Sequence, residues 1–317
     1  VSAGFGVEPG SLRWMVIGAT GMLGGEVAAQ LTARGADPVG VGSADLDLTD
    51  PQAVAAAVAD GGPDVVVNCA AWTAVDLAET EEEAALAVNG TGAGHLARAC
   101  AATGSRLLHV STDYVFRGAP ADAGHPYAED AEPDPATAYG RTKLVGERAV
   151  LAELPATAAV VRTSWLYGRD NGGFVHTMAR LAREPGRTVD VVDDQHGQPS
   201  WTPDVAARII ELAALPADRA HGVFHATGGG RTTWYDLARE VFRLTGQDPD
   251  RVRRIDSSGL RRAAVRPAWS VLGHDRWAAT GLAPMRHWRT ALADALMGDP
   301  VGDRLPESVN SPGPKGC

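Results

Sequence analysis

The seven residues GATGMLG, from Gly18 to Gly24, constrain the fold more than any other stretch of this chain. They follow the apolar run RWMVIG and open the helix-like segment MLGGEVAAQLTARG, so they form a strand-to-helix turn. Gly18 permits the tight turn, Gly21 lets the backbone approach a pyrophosphate, and Gly24 lets the helix pack against the strand. The free N–H groups and the positive dipole end of the helix then face the phosphates. The turn therefore predicts a dinucleotide site rather than a purely structural turn.

The rest of the first half alternates between short apolar runs and helical patterns. Buried strands are predicted for RWMVIG, DPVGVG, DVVVNCA, RLLHVST and AAVVRTSW. Helices are predicted near residues 22–34, 51–59, 80–103 and 139–153. This alternation predicts an α/β fold of the Rossmann type, a doubly wound parallel sheet with helices on both faces.

The pattern loosens after about residue 166. Helices are predicted near residues 173–183, 203–215, 233–245 and 287–297, joined by strand-like pieces such as TVDVVDD and GVFHAT that partly extend the first sheet. We divide the chain into a disordered N-terminal extension (1–12), an NAD(P)-binding Rossmann domain (13–166), a smaller C-terminal α/β substrate lobe (167–300) and a disordered tail (301–317). The boundary between the lobes is soft, because the chain is free to cross between them more than once.

Composition excludes several classes of partner. The 29 basic and 39 acidic residues give a net charge of −10, which argues against a nucleic-acid or anionic-membrane binder. No apolar run is long enough to span a bilayer, and VSAGFGVEPGSLRW lacks a signal-peptide pattern, so we expect a cytoplasmic protein. The three cysteines are irregularly spaced and favour a reducing compartment. His221 and His225 have the spacing of a helical metal pair, but GVFHAT is typical of a strand, so no metal site is predicted.

Tyr139 and Lys143 lie four positions apart in AYGRTKLVGERAV, on one face of a predicted helix. The spacing alone is commonly accidental, but the strand RLLHVSTDYVF ends nearby at Ser111, Thr112 and Asp113, where nicotinamide and a carbonyl substrate would lie. A free phenol has a pKa of about 10, and a nearby ammonium is expected to lower it. We predict that Tyr139 supplies a proton, that Lys143 tunes Tyr139 and holds the nicotinamide ribose, and that Thr112 binds the substrate oxygen.

The second strand bears on the choice of cofactor. Its end, VGVGSADLDLTD, has Gly42 and Ser43 where an NAD-selective site often places a carboxylate on the ribose 2′-hydroxyl. A 2′-phosphate is therefore not repelled, and NADPH is the expected cofactor. NADH stays the alternative, because Asp45 and Asp47 are close and no arginine follows directly. Asp47 and Leu48 are expected to flank the adenine.

The glycine turn, STDYVF and Tyr139-x-x-x-Lys143 together resemble the extended short-chain dehydrogenases/reductases. NCAAWTAVDLAE, VRTSWLYG, DDQHGQPSWTPDVA, FHATGGGRTTWYDLA and RPAWSVLGHDRW are similar, in order and spacing, to the dTDP-4-dehydrorhamnose reductase family, over residues 13–297. The resemblance implies NAD(P)H-dependent reduction of the C4 ketone of a dTDP-4-keto-6-deoxy-L-hexose, bound by the lobe at 167–300. It is compatible with a homodimer and leaves any magnesium requirement open.

The same resemblance implies roles for individual residues. Thr112, Tyr139 and Lys143 become the catalytic set, Asp113 an orienting group, and Trp165 a neighbour of the sugar or the nicotinamide. Ala70 and Ala71 would let the cofactor lie close to the backbone. The full expected cofactor set is Gly18, Thr20, Gly21, Met22, Leu23, Gly24, Ser43, Asp47, Leu48, Ala70, Ala71, Tyr139 and Lys143.

A basic cluster and one departure from the family pattern concern the substrate end. Six arginines lie at positions 251, 253, 254, 261, 262 and 266, and an arginine fork suits a diphosphate. We predict that Arg266, in RPAWS, contacts the diphosphate, and that most of the others form a solvated basic face. Ala268 and Trp269 stand where the family commonly has Gly-Asn. Trp269 either packs harmlessly in a loop or reshapes the sugar pocket.

Two rival functions stay open from the sequence. One is the same fold acting on a different sugar, either a modified deoxysugar of a natural product or a ring contraction of the dihydrostreptose type. The other is a non-catalytic NADP-binding regulatory subunit that acts through a partner enzyme. The intact set of Thr112, Tyr139 and Lys143 favours catalysis.

Overall fold

The computed structural model describes residues 7–169 and 173–297 of the chain. The predicted tail at 301–317 and residues 1–6 of the predicted extension lie outside the described residues. Residues 7–12 differ from the expected disorder. The amide of Val7 donates to the carbonyl of Ala214 (3.2 Å), and the indole Nε1 of Trp14 donates to that of Pro9 (2.9 Å). Because Trp14 is buried, it anchors the chain just before the first strand.

Six parallel strands form the main sheet, which confirms the predicted doubly wound fold. Numbered in chain order, they are β1 (Trp14–Ile17), β2 (Val39–Val41), β3 (Val65–Asn68), β4 (Arg106–Thr112), β5 (Ala159–Thr163) and β10 (Gly222–His225). Their order across the sheet is β10-β5-β4-β3-β1-β2. The central strands β1, β3 and β5 are buried along their whole length, as expected of Val-rich runs covered on both faces.

Helices cover both faces of the sheet. On one face lie α1 (Met22–Ala33) and α8 (Thr202–Ala214), and on the other α2 (Pro51–Gly61), α5 (Ala93–Thr103) and α6 (Ala138–Glu153). Apolar residues four apart, such as Val27 and Leu31 in α1, point to the sheet and are fully buried. No helix in the described part of the chain has the length and apolar character needed to cross a bilayer.

The helix predicted at 80–103 is interrupted. The segment forms α3 (Val75–Ala78), α4 (Glu82–Leu86), a π-helical turn at Ala87–Gly92 and then α5. Asn89, in the π turn, is buried, and its amide bonds both the N–H (2.8 Å) and the carbonyl (3.1 Å) of Trp72. These bonds hold the chain that follows β3 and account for the local widening of the helix.

The second half contributes to both lobes. The smaller lobe contains β6 (Leu166–Tyr167), α7 (Gly173–Arg183), β7 (Val189–Val192), β8 (His196–Gly197), β9 (Ser200–Trp201), β11 (Thr232–Thr233), α9 (Trp234–Leu244), β12 (Val252–Ile255) and α11 (Trp288–Met297). Its own core joins α7, α9 and α11 to the parallel pair β7–β12. Between β9 and β11 the chain returns to the first lobe, where α8 packs on α1 and β10 pairs with β5. The short helix α10 (Trp277–Thr280) also packs with the main sheet.

The strand order fixes where a ligand can bind. From β1 the chain moves outward to β2, whereas from β3 it continues to β4 on the opposite side. The loops that leave the carboxyl ends of β1 and β3 therefore diverge and open a crevice.

Candidate active site

A cleft of about 820 Å³ opens at this crevice, along the carboxyl ends of β1, β3 and β4. It is lined by every residue predicted to bind a cofactor: Gly18, Thr20, Gly21, Met22, Leu23, Gly24, Ser43, Asp47, Leu48, Ala70, Ala71, Tyr139 and Lys143. Thr73, Val75 and Val88 also line the cleft and were not predicted. Their only signal in the sequence is position, since Thr73 and Val75 lie in the loop and short helix that follow β3.

Close backbone packing shapes the glycine turn. Gly18 has φ of 80°, and a Cβ placed there would lie 2.7 Å from the amide nitrogen of Ala70. A Cβ on Gly24 would lie 2.2 Å from the carbonyl oxygen of Gly18. Gly21 precedes α1 as its N-cap and offers no side chain to the first amides of that helix. The first N–H groups of a helix suit an anion such as a pyrophosphate, and this contact stays a prediction from the sequence.

The carboxylates near the end of β2 accept hydrogen bonds from residues of the same loop. The Oδ2 atom of Asp45 accepts from the amide of Gly42 (2.9 Å). Asp47 accepts from the amide and hydroxyl of Thr49 (both 2.8 Å), and these bonds lower the pKa of Asp47. Ser43 is exposed at the tip. Ser43 therefore offers a hydroxyl to a ribose at this tip, and the charged Asp47 carboxylate lines the same part of the cleft.

The start of α6 carries the predicted catalytic pair. Thr137 caps the helix, its hydroxyl accepting from the amide of Gly140 (3.1 Å). Gly140 packs so closely on the segment after β4 that a Cβ there would lie 2.1 Å from the carbonyl of Tyr114. This packing brings Tyr139 into the cleft beside Thr112.

The ionisation of Tyr139 differs from the expectation. Burial raises the pKa of Tyr139 to about 12, although the nearby Thr112 hydroxyl opposes this shift. The expected lowering by Lys143 is wrong for this arrangement, because the Lys143 ammonium group is directed elsewhere. Its Nζ donates to the carbonyl of Val110 (2.8 Å) and lies 3.4 Å from Nε2 of His109. Burial also lowers the pKa of Lys143 to about 8. Tyr139 is thus a phenol at neutral pH, the form that a proton donor requires.

Buried oxygen atoms without partners also line the cleft. The hydroxyls of Ser111 and Thr163 and the Oδ2 atom of Asp113 have no hydrogen-bond partner among the described residues. Thr112 donates to the other carboxylate oxygen of Asp113 (3.1 Å). Burial raises the pKa of Asp113 to about 6, and the hydrogen bond from Thr112 opposes this shift. Buried polar atoms are normally satisfied, so this group suits a polar ligand such as a nicotinamide carboxamide or a sugar.

Trp165 separates the cleft from a second pocket of about 540 Å³ and lines both. It has φ of 45°, the one non-glycine residue with positive φ among the described residues. Its ring stacks on Trp234, with centroids 3.6 Å apart, and lies against Gly197, where a Cβ would be 2.5 Å from the indole. Trp234 and Phe174 line the second pocket and were not predicted as site residues. The role expected of Trp165, beside the sugar or the nicotinamide, stays a prediction.

The arginines of the basic cluster have different surroundings. Arg266 lines the second pocket together with Arg262, but its guanidinium is bound by Asp76 (2.6 and 3.0 Å), which also accepts from the amide of Ala264 (3.0 Å). Arg253 and Arg254 form ion pairs at the surface with Asp190 and Asp193, in keeping with a solvated basic face. Arg251 instead donates to three backbone carbonyls, those of Ala182, Glu184 and Arg187.

Trp269 lies outside both pockets. Its indole is 2% exposed and donates to the carbonyl of His125 (3.0 Å), with Arg231 5.1 Å from the ring. The packing interpretation of Trp269 therefore fits this position better than a reshaped sugar pocket. His225 is fully buried in β10, and its Nδ1 contacts the carbonyl of Gly273. No group of three potential metal ligands occurs among residues 7–169 and 173–297.

The parallel sheet with its glycine turn, and the Thr112, Tyr139 and Lys143 group beside it, define an NAD(P)-binding oxidoreductase of the extended short-chain dehydrogenase/reductase type. The chain belongs to the family described as "RmlD substrate binding domain", whose sequence profile matches residues 12–299. This match confirms the resemblance inferred from the sequence.

Named relatives span nearly the same length. A dTDP-4-dehydrorhamnose reductase of Streptomyces griseus is 55% identical over 286 residues, covering 90% of this chain and 93% of the relative. A dTDP-4-keto-6-deoxy-D-glucose reductase of Streptomyces niveus is 50% identical over 284 residues, covering 90% and 96%. The structure of dTDP-4-dehydrorhamnose reductase from Bacillus anthracis in complex with NADP is similar with a TM-score of 0.84, 32% identity and coverage of 91% and 99%.

Proposed function

We propose that this protein reduces the C4 ketone of a dTDP-linked 4-keto-6-deoxyhexose with NADPH. The observation that carries the proposal is the meeting, in one cleft, of the glycine turn with Thr112 and Tyr139. The turn positions a dinucleotide, and the phenol lies where the reduced carbonyl requires a proton. Relatives at 50–55% identity are named as reductases of such keto-sugars.

Each side chain has a distinct task in this reaction. NADPH supplies the hydride when it is bound in the cleft. The phenol of Tyr139 gives its proton to the C4 oxygen as that oxygen gains negative charge, and Thr112 fixes the oxygen by a hydrogen bond. Lys143 holds the ribose hydroxyls of the cofactor. Asp113 accepts the hydrogen of the Thr112 hydroxyl (3.1 Å), which turns from Asp113 to the C4 oxygen when the substrate binds.

The second pocket supports a sugar-nucleotide substrate. Its aromatic walls, including Trp165, Trp234 and Phe174, suit a base and a sugar ring, whereas Arg262 and Arg266 suit a diphosphate. Trp165, which lines both pockets, places the sugar end of such a substrate at the cofactor cleft. A homodimer and a cytoplasmic location stay predictions from the sequence.

The test is NADPH oxidation with dTDP-4-keto-6-deoxyglucose, with and without its 3,5-epimerase, followed by NMR of the product. Oxidation that requires the epimerase, with dTDP-L-rhamnose as product, supports the L-sugar. Oxidation without the epimerase supports the D-sugar named for the Streptomyces niveus relative. A ring-contracted product would show the dihydrostreptose-type reaction. Tight NADPH binding without oxidation of any keto-sugar would favour the regulatory subunit.

Tyr139→Phe tests the assigned chemistry. Removal of the hydroxyl should lower kcat by about 10³-fold, because general acid catalysis is lost, while the affinity for NADPH stays within about threefold. Tyr235→Phe is the matched control, since Tyr235 is half-buried on α9 in the smaller lobe. Unchanged kcat in the Tyr139 variant would refute the assignment.

A further inference from the structure

Behind the catalytic lysine lies a buried chain of polar side chains that its proposed role does not explain. Asn68 ends β3 and His109 lies in β4, and both are 1% exposed. The amide Nδ2 of Asn68 is 3.1 Å from Nδ1 of His109, and Nε2 of the same ring is 3.4 Å from Nζ of Lys143. The chain therefore connects the turn after β3 to Lys143.

The backbone fixes the orientation of the Asn68 amide. Its Oδ1 atom accepts from the amide of Ala70 (3.1 Å), so the NH₂ group must face the histidine. Nδ1 of His109 then accepts a hydrogen bond and carries no hydrogen. Burial, with Lys143 nearby, lowers the pKa of His109 well below its usual value, so the ring is neutral. A neutral ring without hydrogen on Nδ1 carries it on Nε2.

This tautomer directs an N–H group at Lys143. An ammonium has three donors and no acceptor, so it cannot accept the Nε2–H bond, whereas a neutral amine has a lone pair that can. The Val110 carbonyl accepts one hydrogen from Nζ in either form. The histidine contact therefore distinguishes the two protonation states of Lys143.

We propose that His109 is a positioning residue: held by Asn68 with its hydrogen on Nε2, it favours the neutral amine of Lys143 and so sets the pH at which this lysine loses its proton. The lysine would then lose its charge at a lower pH than a lysine facing an acceptor. The consequence for turnover rests on the proposed function, in which charged Lys143 donates hydrogen bonds to the ribose hydroxyls. Activity should therefore fall as pH rises through this transition.

The other titratable groups around Lys143 do not favour its neutral form as His109 does. Glu147, one turn further along α6, favours the charged lysine, but it is paired with Arg162 (2.7 and 2.9 Å). Cys69, after β3, is half-buried, and the loss of solvent around its thiol raises its pKa to about 12, so the thiol is neutral. Tyr139, on the same helix, is also neutral at pH 7. Among these groups, only His109 has a polar side-chain atom within hydrogen-bonding distance of Nζ, at 3.4 Å.

The sequence makes a direct measurement practical, because Lys143 and Lys315 are its two lysines. In protein labelled with ¹³C and ¹⁵N in lysine, NMR titration follows two side chains, and Lys315 serves as the internal reference. We expect Lys143 to lose its proton at a clearly lower pH than Lys315. In ¹⁵N-histidine-labelled protein, His109 should show hydrogen on Nε2 throughout the titration. Hydrogen on Nδ1, or a charged ring near neutral pH, would overturn the proposal.

Two variants then test the direction of the effect. In His109→Gln the side-chain carbonyl oxygen can face Lys143 and accept its hydrogen. The midpoint of the Lys143 titration should therefore rise by about one pH unit. The pH at which kcat/KM falls on the alkaline side should rise by the same amount. Asn68→Asp accepts a hydrogen from Nδ1, so Nε2 becomes an acceptor and the midpoint should rise as well. His274→Gln changes a half-buried histidine that contacts Thr227 (2.8 Å) instead, and it should leave the Lys143 midpoint unchanged.

These outcomes separate this proposal from the proposed function. An unchanged Lys143 midpoint in His109→Gln would overturn the role of His109 even if the enzyme reduces the keto-sugar. Conversely, the NMR titrations need no turnover, so they stay decisive if no keto-sugar is reduced. If His109→Gln fails to fold, the tautomer of His109 in the unaltered protein still decides the question.

Discussion

The two pockets on either side of Trp165 are built in different ways. The cofactor cleft is shaped mainly by backbone at consecutive strand ends, with Gly18 and Gly24 in contacts too close for a Cβ. The second pocket is shaped by side chains from distant segments, among them Trp165, Trp234 and Arg262. The first site therefore depends on steric fit along a short stretch of chain. The second depends on how distant segments pack, and this difference decides how each responds to substitution.

Gly24→Ala should produce the largest effect on the cleft. The new Cβ would lie 2.2 Å from the carbonyl oxygen of Gly18, so the turn must open. The backbone amides of the turn would then no longer be oriented to donate to the phosphates. Loss of two charge-assisted hydrogen bonds of about 1.5 kcal/mol each corresponds to about a 100-fold weaker affinity for NADPH. Fluorescence titration with NADPH measures it. Gly25→Ala is the control, because its Cβ would lie 3.2 Å from the carbonyl of Ala19 and needs only a small adjustment. Equal affinities of the two variants would contradict a steric origin.

Gly197→Ala should have a smaller effect, confined to the substrate. Its Cβ would meet the Trp165 indole at 2.5 Å, and the ring, which also stacks on Trp234, would have to shift. A displacement of about 1 Å at a positioning group lowers rates by up to about 10²-fold, so we expect about a 10-fold lower kcat/KM for the keto-sugar. The affinity for NADPH should stay within about twofold. Gly259→Ala, where no atom lies within 4 Å of the new Cβ, is the control in the same lobe. A large loss of NADPH affinity in Gly197→Ala would show that the two pockets are not separable.

The same contrast explains what the sequence could predict. The strands, most helices and the glycine turn follow from local patterns, and the parallel order follows from strand–helix alternation. The Thr112, Tyr139 and Lys143 group could be predicted because strand ends and the following helix meet at one edge of such a sheet. The cleft and the residues that line it therefore follow largely from local sequence patterns.

Other features depend on contacts between distant segments. The pair of Asp76 and Arg266 joins residues 190 positions apart, and no local pattern indicates it. The π turn at Ala87–Gly92 arises from bonds between Asn89 and Trp72. The pKa of Tyr139 rises because the phenol is buried, and the spacing to Lys143 carries no information about burial. Trp234 and Phe174, which also line the second pocket, were not predicted for the same reason.

Arg266→Ala tests the predicted diphosphate contact against the observed ion pair. If Arg266 binds the substrate, loss of a charged hydrogen bond of about 1.5 kcal/mol should raise KM for the keto-sugar about 10-fold. Asp76→Ala keeps the guanidinium and should change KM by less than about threefold. Arg261→Ala controls for charge, since Arg261 is exposed beside Arg262 but does not line the second pocket. Equal KM changes in the Arg266 and Asp76 variants would instead assign Arg266 to holding the loop.

Asp113→Asn should give the smallest effect, one of stability rather than binding. The pKa of Asp113 is raised from 3.8 to about 6, so the folded protein favours the protonated carboxyl. The associated stability is present below about pH 4 and is lost as pH rises through about 6. Asparagine does not titrate, so the variant should gain stability relative to the unaltered protein between about pH 4 and 7, by about 2 kcal/mol. Denaturant unfolding of both proteins at the two pH values measures the gain. Activity should fall in the same variant, because Thr112 loses its charged partner. If the two proteins differ in stability by the same amount at about pH 4 and pH 7, Asp113 is not the titrating group. Ionisation of this carboxyl in the cleft would then not destabilise the folded protein.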